Sequence, residues 1–141
     1  MARAKRTKPV TLADARRYLA KGEEFLAVAE DCLAAERYIA ATGNAVHAAI
    51  NAADAVLGAR TRQRPAAQDH GQALDLLGQA GRDGKDLARH LDRLLPLKAK
   101  AEYDPDDVPR TTAAKAVESA RRAVAVARRV LPPELGTTPG S

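Results

Sequence analysis

Sixteen consecutive residues, Tyr38 to Ala53, carry no formal charge, in a chain where charged residues make up 29%. A surface helix ordinarily keeps Lys, Glu or Arg on its outer side. A segment without them has to be covered, by its own domain or by a partner subunit. Within and just beyond this run Asn44, His47, Asn51 and Asp54 recur at steps of three and four, which puts them on one face of a helix. Val46, Ile50, Ala53 and Leu57 make a separate apolar stripe. The expectation is a central helix whose polar seam is withheld from bulk solvent. A buried polar group left unpaired costs about 1–3 kcal/mol, so the seam either sets the register of helix packing or lines a cleft that handles a ligand.

The rest of the chain supports an all-α domain. Thr11 is a good N-cap, Asp14 suits the first turn, and Leu12, Ala15, Leu19, Gly22, Leu26, Ala29 and Leu33 repeat at three-four spacing. That predicts a long first helix over 11–35, and the uncharged run predicts a second over 37–59, the pair folding back as an antiparallel hairpin. Gly43 costs this second helix about 1 kcal/mol relative to Ala unless close packing uses its missing side chain. A basic loop at 60–69 precedes a short helix marked by Leu74 and Leu77 and ending near Gly81 and Gly84. Leu87, Leu91, Leu94 and Leu95 define a fourth helix, which Pro96 should interrupt or kink. Asp104 to Pro109 reads as a turn. A fifth helix over 111–131 turns Ala113, Val117, Ala120, Val124, Ala127 and Leu131 inward and Lys115, Arg121, Arg122, Arg128 and Arg129 outward. Residues 1–10 and 132–141 read as loose tails flanking a single domain over 11–131, an up-and-down bundle of four to five helices.

Composition narrows the function classes. The lone Cys32 has no internal partner, and no apolar leader or span of about twenty apolar residues points to export or a membrane. A reducing, cytoplasmic setting is expected. Net charge of +5 favours an anionic partner. Phe25, Tyr18, Tyr38 and Tyr103 are the only aromatic residues, too few for a platform on which successive bases stack.

Chemistry concentrates on the second helix. His47, Asn51 and Asp54 stand at i, i+4 and i+7, where an imidazole suited to proton transfer near neutral pH lies within a turn of an amide and an acid. One His, one Asp and two amides do not have the ligand density of a zinc site, so no metal and no cofactor are expected. His70 opens the third helix behind Asp69 and either joins the seam or caps its helix. His90, beside Arg89, reads as a surface residue. The arginines of the last helix are candidates for phosphate contact.

The order Tyr-Leu-Ala-Lys-Gly-Glu-Glu-Phe-Leu (18–26), Ala-Glu-Asp-Cys-Leu (29–33), Glu-Arg-Tyr (36–38), Ala-Ala-Ile-Asn-Ala-Ala-Asp-Ala-Val-Leu (48–57), Asp-His-Gly (69–71) and Lys-Ala-Glu-Tyr-Asp-Pro (100–105) resembles the prokaryotic HEPN domains across about 11–131. The resemblance implies a helical bundle, usually a homodimer. Such proteins are often RNases of toxin-antitoxin or other defence systems, often paired with a small nucleotidyltransferase that serves as antitoxin. Active members place an Arg, followed after four to six residues by a His, in a dimer cleft and cut RNA without metal. In the branch most similar to this chain the second helix reads Arg-Ala-Tyr-Tyr-Ala-Ala-Phe-His. Aligned through Ala48-Ala49-Ile50-Asn51, its Arg falls on Asn44 and its His on Asn51, so Asn replaces both signature residues.

Asparagine neither shuttles protons nor offers a cationic fork to phosphate. Two readings follow. In the first the chain is an atypical metal-independent ribonuclease or toxin acting at a dimer cleft, with His47 as acid and base, Asn44, Asn51 and Asp54 around it, and Lys98, Arg60 and His70 holding substrate. In the second it is a catalytically degenerate dimer that binds nucleic acid, a nucleotide or a partner protein. Arg64 and His70 also fit the Arg-x5-His spacing, although such pairs arise by chance in an Arg-rich chain and this one starts in a loop.

Overall fold

The computed structural model describes residues 6–67 and 69–133. Helix α1 (Leu12–Ala34) begins with a capping box: the Asp14 N–H donates to Thr11 Oγ1 at 3.0 Å and the Thr11 N–H to Asp14 Oδ2 at 3.4 Å. It ends in a tight reversal, where the Arg37 N–H reaches back to the Cys32 carbonyl at 2.8 Å and Glu36 takes a left-handed φ of 61°. The chain passes directly into α2 (Tyr38–Thr61), which lies antiparallel to α1. A Cβ on Gly22 would stand 3.1 Å from the Ala48 carbonyl oxygen, so the two helices meet there backbone to backbone.

Helix α2 is the axis of the bundle, packed against α1, against α4 (Gly81–Tyr103) and α5 (Arg110–Val130), and more lightly against the short α3 (His70–Gly78). Its Ala41, Ala45, Val46, Ala48, Ala49, Ala52, Ala55, Val56 and Leu57 are all buried. Alanine on so many sides lets four long helices approach one another closely, and the missing charges of this run follow from that packing. The fold is an all-α bundle, as expected from the sequence.

Several local expectations need correction. Thr7–Pro9 is not loose: it forms strand β1, antiparallel to β2 (Gln63–Pro65), with Lys8 opposite Arg64, and Val10 behind it is buried. A strand this short has no alternation to display and is held by a partner more than fifty residues away. Residues 1–5 and 134–141 lie outside the described residues, while Pro132 is tied down by Arg16, which donates to its carbonyl at 2.9 Å.

Helix α4 continues through Pro96 instead of breaking. Pro96 and Asp92, whose carbonyl loses its helical donor, are both exposed, so water can satisfy the freed oxygen. Gly84 lies inside α4, and the reversal from α3 is made at Gly81, with φ of 79°. His90 is buried at 8% exposure, because it flanks the Leu87, Leu91 and Leu94 stripe one turn after Leu87. Gly43 serves no close approach: a Cβ there would meet only Ala101, at 4.0 Å.

Candidate functional site

A groove of about 600 Å³ opens between α1, α2, the β2–α3 segment and the C-terminal half of α4. Helix α2 supplies His47, Ile50, Asn51 and Asp54 to its floor, which follows from their shared helix face. Helix α1 adds Tyr18, Lys21 and Phe25, which flank the buried Ala15, Leu19, Gly22 and Leu26. The β1–β2 ribbon brings in Arg64, the start of α3 contributes Asp69 and His70, and α4 closes the far side with Lys98, Glu102 and Tyr103.

The expected seam is therefore only partly covered within one chain. Asn44, His47, Asn51 and Asp54 are all half-buried, with the His47 side chain 43% exposed and that of Asp54 14%. From Ala41 onward the alanines of the uncharged run are buried, while its polar side and its start at Ile39 are open.

The polar contacts fall into two groups. Asn44 Nδ2 donates to the Ala40 carbonyl at 2.8 Å and Asn51 Nδ2 to that of His47 at 2.9 Å, so both amide groups are turned onto their own helix. Glu102 is shared: Lys98 Nζ donates to Oε2 at 3.1 Å, and His47 Nε2 lies 3.4 Å from Oε1. The Lys98 bond, helped by His47, holds the Glu102 carboxyl below the usual range. The His47 ring also lies against Phe25, with centroids 5.4 Å apart.

His70 is held below the ordinary imidazole value, first by burial and then by the Lys98 charge, with Asp69 and Glu102 pulling the other way. It thus feels the same Lys98–Glu102 pair that His47 touches. Burial is also the main cause that pushes Asp54 up to about 6, against the attraction of Arg64 and Lys21. Arg64 stands 3.6 Å from the Asp54 carboxylate and packs over the Tyr18 ring at 5.3 Å.

The structure joins His47, Asn51, Asp54, Lys98 and His70 in this groove. Asn44 lies one turn beyond its lining residues. Arg60 is elsewhere: it donates to Asp83 at 3.0 Å, because it leaves α2 on the side that faces the start of α4. Four arginines of α5 are ion-paired in exposed positions. Arg121 pairs with Glu30, Arg128 with Glu23, Arg122 with Glu118 and Arg129 with Asp83.

Residues that the sequence reading passed over are Tyr18, Lys21, Phe25 and Glu102. The first three share one α1 face at steps of three and four, and Glu102 sits within the Lys100–Pro105 segment noted above. Arg64 and His70, whose spacing could have been coincidence, do reach one groove.

The arrangement offers three cations, two imidazoles and three carboxylates to a ligand, a set suited to phosphate chemistry. Among the described residues, no helix is long and apolar enough to cross a membrane. Comparison with family models matches residues 15–132 to the HEPN domain. No curated protein gives a significant match.

Proposed function

This chain belongs to the HEPN domain family, whose members have RNA-related and nucleotide-binding roles, and from that premise we propose that its groove binds the phosphate-bearing backbone of RNA or a nucleotide without cutting it. One observation supports this most: Lys21, Arg64 and Lys98 line a single groove, while Asn44 and Asn51, which stand where the family signature has Arg and His, spend their amide donors on their own helix. The groove keeps cations to hold phosphate and lacks the signature pair that would break it. HEPN domains generally dimerise. The half-exposed, uncharged side of α2 around Ile39, Ala40, Gly43 and Asn44 is the surface a second copy would cover.

The test uses a fluorescent single-stranded RNA in chelator, with binding followed by anisotropy across a salt series and the RNA then resolved on a gel. Binding that weakens with salt, intact RNA, and a clear loss of affinity in the Lys21→Ala/Lys98→Ala variant are the expected results. Unchanged affinity in that double variant would sink the reading.

Cleavage is a second reading, favoured by the contact of His47 with Glu102 and by the presence of His70 in the same groove. In it His47 takes the proton of a ribose 2′-hydroxyl and the freed oxygen attacks the adjacent phosphorus. The P–O5′ bond breaks, leaving a 2′,3′-cyclic phosphate, and the protonated form of His70 gives its proton to the departing O5′. Shortened RNA bearing that end group, produced by the wild type and not by His47→Ala, would replace the binding reading with this one. Equal cleavage by both proteins would remove His47 from the chemistry.

A further inference from the structure

The three carboxylates of the groove are not equivalent. Glu102 receives Lys98 and His47, and Asp69 caps α3 by accepting the Gln72 N–H at 2.9 Å. Asp54 accepts no hydrogen bond among the described residues, although its side chain is only 14% exposed, and Arg64 stops 3.6 Å short of it. A carboxylate withdrawn from water without donors is costly, and its raised pKa reflects that cost. A ligand that brings two N–H donors would remove the deficit.

Resting on the phosphate-binding reading above and deepening it, we infer that Asp54 is a base-reading residue that selects guanine. The two carboxylate oxygens match two adjacent donors, and among the four RNA bases only guanine presents them, N1–H beside N2–H on its pairing edge. Adenine and cytosine set one amine beside an acceptor nitrogen, which the second oxygen repels, and uracil has one N–H between two carbonyls. Reading a base by its pairing edge inside a pocket is an established mode of selection. A volume of about 600 Å³ lies within the range of about 300–1,000 Å³ common for small-molecule sites. Lys98, on the α4 wall of the same groove, is left to hold the phosphate.

The test measures binding of GMP, AMP, CMP, UMP, IMP and inorganic pyrophosphate by calorimetry. GMP should bind on the order of tenfold tighter than the other nucleotides, IMP included, since IMP lacks only the N2 amine. Asp54→Asn should bring GMP down to the level of AMP while pyrophosphate affinity does not fall. Comparing a uridine hexamer with the same hexamer carrying one guanosine identifies the source. An advantage of the guanosine hexamer over GMP itself points to RNA, and the lack of one points to the free nucleotide. Equal affinity for GMP, IMP and AMP in the wild type would overturn the inference with no variant needed, and pyrophosphate binding would then leave the phosphate reading standing. If neither pyrophosphate nor any nucleotide bound, both would fall.

Discussion

The α5 flank and the groove use the same charged residue types to opposite ends. On the α5 flank each named arginine has a carboxylate opposite it: Arg121 with Glu30 at 3.1 Å, Arg128 with Glu23 at 2.8 Å, and Arg129 with Asp83 at 2.9 Å. In the groove Lys98 is paired as closely, with Glu102 at 3.1 Å, but Arg64 stands 3.6 Å from Asp54 and Lys21, on its wall, has no ion pair among the described residues. Pairs satisfied within the chain tie helices together and leave little for a ligand. Groups held close without full pairing remain available, which separates a structural face from a binding one even where counts of Lys and Arg are alike.

A large effect is expected on the closed side. A Cβ on Gly58 would stand 2.6 Å from Val10 Cγ1 and 2.9 Å from Ala15 Cβ, so Gly58→Ala should destabilise by about 1–3 kcal/mol, read by urea titration. Wild-type stability in that variant would mean this side is less tightly packed than described.

Asp54→Asn should act in the other direction. Burial lifts the Asp54 carboxyl from the ordinary 3.8 to about 6, so the folded state holds this proton more tightly than the unfolded chain. The stability that follows is complete below about pH 4 and lost as pH rises through about 6. The variant should therefore gain about 2–3 kcal/mol over the wild type above about pH 7 and nothing near pH 4, measured as paired melting curves. His70 shifts the opposite way: its depressed pKa gives stability that is present above about 6.5 and lost as pH falls below that. A pH-independent difference between the two proteins would break the contrast between a strained groove and a relaxed flank.

Single cation removals sharpen the division further. Lys98→Ala should weaken RNA binding by about 1 kcal/mol, and Arg128→Ala should leave binding unchanged while costing about 0.2–1 kcal/mol of stability. Equal losses of binding at both sites would mean that RNA is held by net charge alone. A similarly small effect is expected at Gly43→Ala, where open space at the Cβ position predicts a gain of about 0.5–1 kcal/mol. A loss that appears only at concentrations where the protein dimerises would show that a second copy occupies that face.

Much of the bundle was legible because it rests on local chemistry. Thr11 with Asp14 announces the start of α1, the leucine and alanine periods announce every long helix, and the uncharged run announces the central one. The reading failed where a residue's partner is remote. Nothing near Thr7 foretells its pairing with Pro65, and His90 looks like its neighbours Arg89 and Arg93 until α5 packs over it. Arg60 and Arg64 are both basic residues beside one loop, yet one goes to Asp83 and the other to Asp54.

The sequence by itself determined the helical class and which face of α2 is polar, since periodicity and capping depend on residues within a turn or two of each other. Only the tertiary structure decided which cations are neutralised, that Lys21 and Glu102 belong with His47, and that Asp54 accepts no hydrogen bond among the described residues. Those outcomes depend on which side chains from distant segments arrive at one place, and on how much water the packing takes from them.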